Sequence, residues 1–325
     1  MTTISSRGQQ IPLSPIRKLT PFAEKAKENG IYVHHLNIGQ PDIETPKWAM
    51  DRIRNLDVEV IEYSDSGGSL SLRKAFSKYY ERYDIKISAE QLLITYGASE
   101  ALMICLLSCL NAYDELIVPE PFYANYSSFA GAADITVVPV TSHIDDNFAL
   151  PSISEFEKQI GPKTRAILIC NPNNPTGYTY SEEELEHLKG LCIKHDLFLI
   201  SDEVYREFYY DGEYAPSALN LTGVDDKVIV IDSASKRYSM CGVRIGAIVS
   251  RNVEVIETSL KFGQARLSPP YFGQVAVEAA LEAPDSYYAE VKSEYKKRKN
   301  IIIDELSKIP SISFSEPFGA FYTMV

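Results

Sequence analysis

Short apolar runs alternate with helical patterns over residues 91–250 of this 325-residue chain. The runs are almost continuously apolar, which is typical of strands that are buried on both faces of a sheet. Alternation of such strands with helices predicts an α/β fold whose mostly parallel sheet is covered by helices on both sides. The predicted strands are 91–96, 115–119, 134–140, 165–170, 197–201, 227–232 and 244–250, and the predicted helices between them are 99–110, 122–130, 153–160 and 181–195.

Beyond residue 250 the pattern becomes helical. Ser181 and Glu184 have the spacing of a capping box, which marks the start of the helix predicted over 181–195. A charged helix is predicted over 284–308, and its Lys/Arg cluster has acidic neighbours on both sides, so we interpret it as a solvated face. The tail, 311–325, predicts a hairpin.

Chemically active side chains follow the predicted strands. Lys236 comes just after the run 228–231, where poor hydration disfavours an ammonium and lowers its pKa. A neutral amine is what a lysine needs in order to condense with an aldehyde. Asn174, Asp202 with Tyr205, and Arg244 lie near the ends of other strands, and ligands of such sheets bind beyond the strands' carboxyl ends. Together these residues suit pyridoxal phosphate.

The sequence also offers candidate contacts for the ring nitrogen, the phenolic oxygen, the ring face and the phosphate of that cofactor. Asp202 follows a buried run and needs a partner, which the protonated ring nitrogen would provide. Tyr205 and Asn174 could hydrogen-bond the phenolic oxygen, and Tyr123 could stack on the ring. For the phosphate, the candidates are the backbone amides of Ala98 and Ser99 at a helix start, the Ser233 hydroxyl and the Arg244 guanidinium.

Bulk properties exclude several classes of function. A net charge of −12 and a pI near 5.0 argue against a general nucleic-acid or membrane-surface role. No apolar run reaches the length of a membrane span, and the N-terminus lacks the apolar core of a secretory signal. Five cysteines without a CxxC pair favour a reducing cytoplasm. The histidines have no metal-ligand spacing, and neither a dinucleotide fingerprint nor a P-loop occurs, so we expect no metal site and no nucleotide site.

An ordered set of motifs resembles the class I/II aminotransferases of fold type I, in their aspartate-aminotransferase-like branch. The motifs are NIGQPD (37–42), YGASEAL (96–102), PEPFYANY (119–126), NPNNPTG (171–177), SDEVY (201–205), SASK (233–236), CGVRIG (241–246) and GAFY (319–322). The resemblance implies pyridoxal-phosphate-dependent transfer of an amino group from an L-amino acid to a 2-oxo acid.

The same resemblance implies a role for each matching residue. Lys236 would form the Schiff base and act as the catalytic residue, and Gly39 and Asn174 would lie at the substrate. Tyr63 matches a tyrosine that reaches the phosphate of the neighbouring subunit, which implies a homodimer with shared sites. The other cofactor contacts would be those of Ala98, Ser99, Tyr123, Asn174, Asp202, Tyr205, Ser233 and Arg244.

The family's architecture implies two domains. A large domain over 45–283 would hold a seven-stranded sheet in which the strand 244–250 is antiparallel, and a small domain would combine 1–44 with 284–325. Family chains continue beyond GAFY and carry there an arginine that clamps the substrate α-carboxylate; nothing here matches it. We therefore expect a truncated sequence, the alternative being a shortened homologue. A chain of this length would bind cofactor and have little substrate affinity.

Aspartate is the first expectation for the amino donor. Ser99 stands where some aspartate-preferring relatives carry a lysine, so aromatic, branched-chain and alanine donors stay open. A β-lyase on the same scaffold and a non-catalytic, aminotransferase-like binding protein are the alternative functions.

Overall fold

The computed structural model describes residues 2–325, which form a seven-stranded sheet flanked by helices. The strand order is β1-β7-β6-β5-β4-β2-β3, and β7 runs antiparallel to both of its neighbours, as predicted. The remaining pairs are parallel. The strands are β1 Leu92–Thr95, β2 Glu115–Glu120, β3 Thr136–Thr141, β4 Thr164–Cys170, β5 Phe198–Asp202, β6 Val228–Ser233 and β7 Gly246–Val249.

Twelve α-helices occur within the described residues. Ser181 caps α8 through its hydroxyl, and the reciprocal bond from Glu184 completes the predicted capping box. No helix within residues 2–325 combines the length and the apolar character that crossing a membrane requires. The helices are α1 Ser6–Gln10, α2 Thr20–Glu28, α3 Lys47–Arg54, α4 Leu70–Glu81, α5 Gly97–Cys109, α6 Asn125–Ala132, α7 Ile153–Gln159, α8 Glu182–His195, α9 Ala234–Arg237, α10 Val253–Arg266, α11 Tyr271–Ala280 and α12 Asp285–Leu306.

Each face of the sheet has its own apolar core, because successive strand residues point to opposite faces. In β6, Val228 and Val230 pack with α4, α8 and α11, whereas Ile229 and Ile231 pack with α5, α6 and α10. Both cores consist of side chains that are almost completely buried. The near-continuous apolar strands of the sequence therefore correspond to a sheet that is covered on both sides.

Three predicted boundaries are wrong, two of them because a residue has a positive φ. Asp134 has a φ of 58° and belongs to the turn after α6, so β3 begins later than predicted, at Thr136. Arg244 has a φ of 56°, which is incompatible with a strand, and β7 begins at Gly246. The helix predicted from residue 122 begins at Asn125.

The predicted hairpin of the tail does not form. Ser315 N–H donates to the Met324 carbonyl at 2.9 Å, but the Met324 N–H donates to the Ser315 hydroxyl, also at 2.9 Å, rather than to a backbone carbonyl. Further along, the amides of Phe318 and Gly319 donate to the Gly177 carbonyl. These bonds replace a strand ladder, so the tail packs as a loop against residues 171–177. The division into two domains stays a prediction.

Strand direction decides which residues meet at the functional edge. Asp202 and Ser233 end the parallel strands β5 and β6, whereas β7 begins at that edge because it runs the opposite way. Gly246 pairs with Ser233 on one side and with Thr95 on the other. The chain segments before β7 and after β1 are consequently brought beside the ends of β5 and β6.

Candidate functional site

A cavity of about 630 Å³ opens at this edge of the sheet. Ten of the eleven residues that the sequence singled out line it, and Tyr63 does not. The ten come from segments far apart in the chain, which the order and direction of the strands bring together. They are Gly39, Ala98, Ser99, Tyr123, Asn174, Asp202, Tyr205, Ser233, Lys236 and Arg244.

The Lys236 amine projects from the short helix α9 into the cavity. Its Nζ donates a hydrogen bond of 2.6 Å to the Gly39 carbonyl. Burial lowers the pKa of Lys236 below its ordinary value, Cys241 and Asp202 raise it in part, and Arg244 lowers it further. An amine in this setting is more often neutral than an exposed lysine, so a larger fraction of it is available to attack a carbonyl or to accept a proton near neutral pH.

Asp202 is a buried carboxylate with no cationic partner among the described residues. It accepts hydrogen bonds from the Tyr126 hydroxyl at 2.8 Å and from the Val204 N–H at 3.4 Å. Burial raises the pKa of Asp202 to about 6, although both bonds favour its ionised form. An uncompensated buried carboxylate is costly, and a cation bound in the cavity would remove that cost.

Two tyrosine hydroxyls and an amide form a hydrogen-bonded row across the cavity. The Asn174 side-chain amide donates to the Tyr205 hydroxyl at 3.3 Å, and the hydroxyls of Tyr205 and Tyr322 lie 2.7 Å apart. Burial and the nearby Tyr322 raise the pKa of Tyr205 well above its ordinary value, so its hydroxyl stays protonated and can donate. Gly39 lies against Tyr322 so closely that a Cβ there would overlap the tyrosine hydroxyl.

The opposite end of the cavity suits an anion. Ala98 and Ser99 are in the first turn of the 13-residue helix α5, where backbone N–H groups lack helical partners and the helix dipole is positive. The Arg244 guanidinium packs against Gly97, whose φ is +77° and whose missing Cβ leaves room for the Arg244 Nη2. The Ser233 hydroxyl caps α9 and lines the same end.

Of two tyrosines that the sequence singled out, Tyr123 lines the cavity and Tyr63 does not. Tyr123 lies before α6, lines the cavity and accepts a hydrogen bond of 2.8 Å from Asn125 at its hydroxyl. Its placement allows contact with a planar ligand. Tyr63 is 79% exposed and lies outside the cavity.

Sequence reasoning missed several residues that line the cavity. Tyr126 and Tyr322 both belong to motifs that were recognised, PEPFYANY and GAFY, yet no role was assigned to either. Arg17 comes from an N-terminal segment without a distinctive pattern, and only the folded chain shows that it reaches the cavity. Cys241 begins the recognised motif CGVRIG and also lines the cavity, yet no role was assigned to it.

Residues 32–325 match the family model described as aminotransferase class I and II. An aspartate aminotransferase of Thermotoga maritima is 35% identical over 323 residues, which cover 98% of this chain and 84% of that protein. Aromatic-amino-acid aminotransferase 2 of Thermococcus litoralis is 32% identical, with 98% of this chain and 82% of that protein covered. A crystal structure of the Thermotoga maritima aspartate aminotransferase has a TM-score of 0.91 to this fold at 33% identity, covering 98% and 84% of the two chains.

The buried Asp202 carboxyl predicts a pH-dependent stability of the ligand-free protein. Its pKa is about 6 in the folded chain and lower in the unfolded chain, so the unfolded chain loses this proton first as the pH rises. We expect this group to reduce the free energy of unfolding by about 3 kcal/mol between about pH 4 and pH 7. Urea denaturation of wild type and Asp202→Asn across this range measures the difference.

Asp57→Asn is the matched control, because Asp57 is exposed and its charge is removed by the same chemical change. The free energy of unfolding of Asp57→Asn should change with pH as that of the wild type does. Parallel stability curves for wild type and Asp202→Asn would contradict the assignment of a raised pKa to Asp202.

Proposed function

We propose that this chain, which belongs to the class I and II aminotransferase family, binds pyridoxal phosphate in its cavity and transfers the amino group of an L-amino acid to a 2-oxo acid. The main support is the pair formed by Asp202 and Lys236. A buried carboxylate and a partly buried amine face one cavity, and neither is engaged in a salt bridge among the described residues.

The residues present fit the cofactor in each of its parts. The uncompensated Asp202 carboxylate matches a cationic ring nitrogen, and the anion-binding end at Ala98, Ser99 and Arg244 matches a phosphate. The Tyr205 hydroxyl, positioned by Asn174, can donate to the phenolic oxygen. When bound, the cofactor supplies an aldehyde for the Lys236 amine and a cationic ring that withdraws electrons from the substrate α-carbon.

The chain's own contribution to the reaction centres on Lys236 Nζ. Because burial lowers the pKa of this amine, it can accept a proton from the substrate α-carbon near neutral pH. The Gly39 carbonyl, 2.6 Å from Nζ, holds the amine in the cavity. Positioning of the base at the reacting carbon contributes to the rate because no diffusional encounter is needed.

We propose aspartate as the amino donor. The relative from Thermotoga maritima that is 35% identical is named for aspartate, although the one from Thermococcus litoralis is named for aromatic amino acids. Within the cavity, Arg17 is an exposed cation that forms no side-chain hydrogen bond or salt bridge with a described residue. Arg17 is thus available for the side-chain carboxylate of an acidic substrate.

We also propose that the protein acts in the cytoplasm as a homodimer. All five cysteines are free, which is typical of a reducing compartment. Exposed apolar side chains concentrate in the N-terminal third of the chain, a composition that favours a protein interface. They include Phe22 at 74%, Tyr32 at 82%, Leu36 at 92%, Val60 at 71% and Tyr63 at 79% exposed.

Replacement of Lys236 by alanine tests the proposed reaction. We expect Lys236→Ala to lose the visible absorbance of lysine-bound cofactor and to lose turnover, because no other amine lines the cavity within the described residues. Absorbance after addition of pyridoxal phosphate and the release of 2-oxo acid are measured. Lys78→Ala, on the exposed face of α4, is the control and should behave as wild type. If the wild type releases ammonia from an amino acid when no 2-oxo acid acceptor is present, the protein is instead a lyase.

Replacement of Arg17 tests the substrate class. A hydrogen bond to a charged group contributes about 1.5–3 kcal/mol, so Arg17→Gln should raise KM for aspartate about 10- to 100-fold. KM for alanine should change little, since alanine has no second carboxylate. Lys18→Gln is the control, because Lys18 is the neighbouring cation and does not line the cavity. Equal losses for both donors would contradict a role for Arg17 in side-chain recognition.

Mixed dimers test the role of Tyr63. If Tyr63 acts on the partner's cofactor, a dimer of one Lys236→Ala and one Tyr63→Phe subunit contains one intact site. Random mixing of the two variants should then restore high-affinity pyridoxal phosphate binding at about a quarter of all sites. Titration of cofactor absorbance measures this fraction. No restoration would be expected if Tyr63 served its own subunit.

A further inference from the structure

Four fully buried charged side chains lie next to the candidate site without lining its cavity. Glu203, Arg206, Asp232 and Arg237 are each no more than 2% exposed. We call these four residues the buried charge network. It contains two cations and two anions, so its charges balance, as burial of charge requires.

Arg206 connects the two acids of the network. Its Nη2 donates to Glu203 Oε2 at 2.6 Å, and its Nη1 lies 3.6 Å from Asp232 Oδ2. The guanidinium also lies 4.7 Å from the centre of the Tyr80 ring. Arg206 therefore ties the end of β5 to the end of β6.

Each acid is also fixed by neutral donors. Glu203 accepts from the Ser217 hydroxyl at 2.7 Å and from the Ala218 N–H at 2.9 Å. Asp232 accepts from the Tyr80 hydroxyl at 2.7 Å. Donors of this kind hold the carboxylates in place independently of the arginines.

Arg237 depends on one polar partner. Its Nη2 donates to Asp232 Oδ1, while its Nε and Nη1 have no hydrogen-bond partner among the described residues. The face of the guanidinium lies 4.2 Å from the centre of the Tyr79 ring. The ion pair with Asp232 is thus the polar contact that determines where the Arg237 side chain lies.

Every network residue is the direct chain neighbour of a cavity residue. Glu203 follows Asp202 and Arg206 follows Tyr205, whereas Asp232 precedes Ser233. The fourth pair is Lys236 and Arg237, the last two residues of α9. The same two chain segments therefore contribute side chains both to the cavity and to the network.

We propose that the Arg237–Asp232 ion pair is a positioning device that holds α9 so that the Lys236 amine stays inside the cavity; this inference rests on the role proposed for Lys236. A four-residue helix has too few backbone hydrogen bonds to fix its own orientation. The ion pair supplies a second attachment, through a side chain that lies outside the cavity. Arg237 is accordingly a positioning residue and touches no substrate.

The test measures the titration of the Lys236 amine in the full chain without cofactor. The groups that face this amine are the Asp202 carboxyl, the Cys241 thiol, the Arg244 guanidinium and the Tyr205 ring. Formaldehyde with cyanoborohydride methylates neutral amines, and mass spectrometry of the peptide gives the extent at Lys236 at each pH. In the wild type, the midpoint should lie below that of exposed lysines because the amine is buried.

In Arg237→Met, we expect the midpoint for Lys236 to rise toward the ordinary lysine value of about 10.4. The amine is then free to leave the cavity, where its ammonium form becomes hydrated. Arg237→Lys keeps the charge and should shift the midpoint less. Arg251→Met, which removes an arginine paired with Asp225 at the surface, should leave it unchanged.

An unchanged midpoint in folded Arg237→Met would overturn the inference, even if thermal unfolding occurs at a lower temperature, since the ion pair would then only stabilise the fold. If Arg237→Met does not fold, the double variant Asp232→Asn/Arg237→Met replaces it, because the charges of Arg206 and Glu203 still neutralise each other there. In this double variant, a raised midpoint for Lys236 would support the inference, and an unchanged midpoint would overturn it. The labelling needs no cofactor, so a protein that fails to bind pyridoxal phosphate would refute the proposed function separately.

Discussion

A buried carboxylate and a partly buried amine line the same cavity of this protein, and neither is neutralised by a salt bridge among the described residues. Burial moves both groups toward their neutral forms, raising the pKa of Asp202 to about 6 and lowering that of Lys236. Such a pair costs stability in the ligand-free protein. The cost is consistent with a cavity whose charges are arranged for a bound ligand rather than for each other.

The sheet makes this arrangement possible through the direction of one strand. Six of the seven strands run in the same direction and end at the functional edge, whereas β7 runs the opposite way and begins there. Arg244 is delivered to the cavity by the turn that precedes β7, and Gly246 lets β7 approach the start of α5 closely. The end of the cavity that suits an anion is therefore a consequence of topology as much as of residue type.

Much of the site could be predicted from the sequence, because its residues immediately follow apolar strands. Asp202, Ser233 and Lys236 are of this kind, and their approximate positions follow from the pattern alone. The left-handed conformation of Arg244 could not be predicted, since it depends on packing between the turn, Gly97 and the end of β6. The tail was predicted as a hairpin from its own sequence, whereas several of its hydrogen bonds go to segments far away in the chain.

The burial of the charge network could not be predicted from the sequence. Its four members lie beside recognised residues in the sequence, yet charged residues next to strand ends usually face solvent. Only the position of α4, which brings Tyr79 and Tyr80 beneath the strand ends, shows that these charges are buried. Burial depends on contacts between segments more than 120 residues apart, as for Tyr80 and Arg206 with a separation of 126.

The alternation of cavity and network residues constrains how the chain can vary in length. Asp232 and Ser233 are successive residues of β6 and therefore point to opposite faces of the sheet. Deletion of a single residue within β6 would reverse the directions of these two side chains, so that a carboxylate would point toward the end of the cavity that suits an anion and two arginines would lose the anion they share. Loops elsewhere can lengthen or shorten without this effect, so the end of β6 is a segment where spacing matters as much as residue identity.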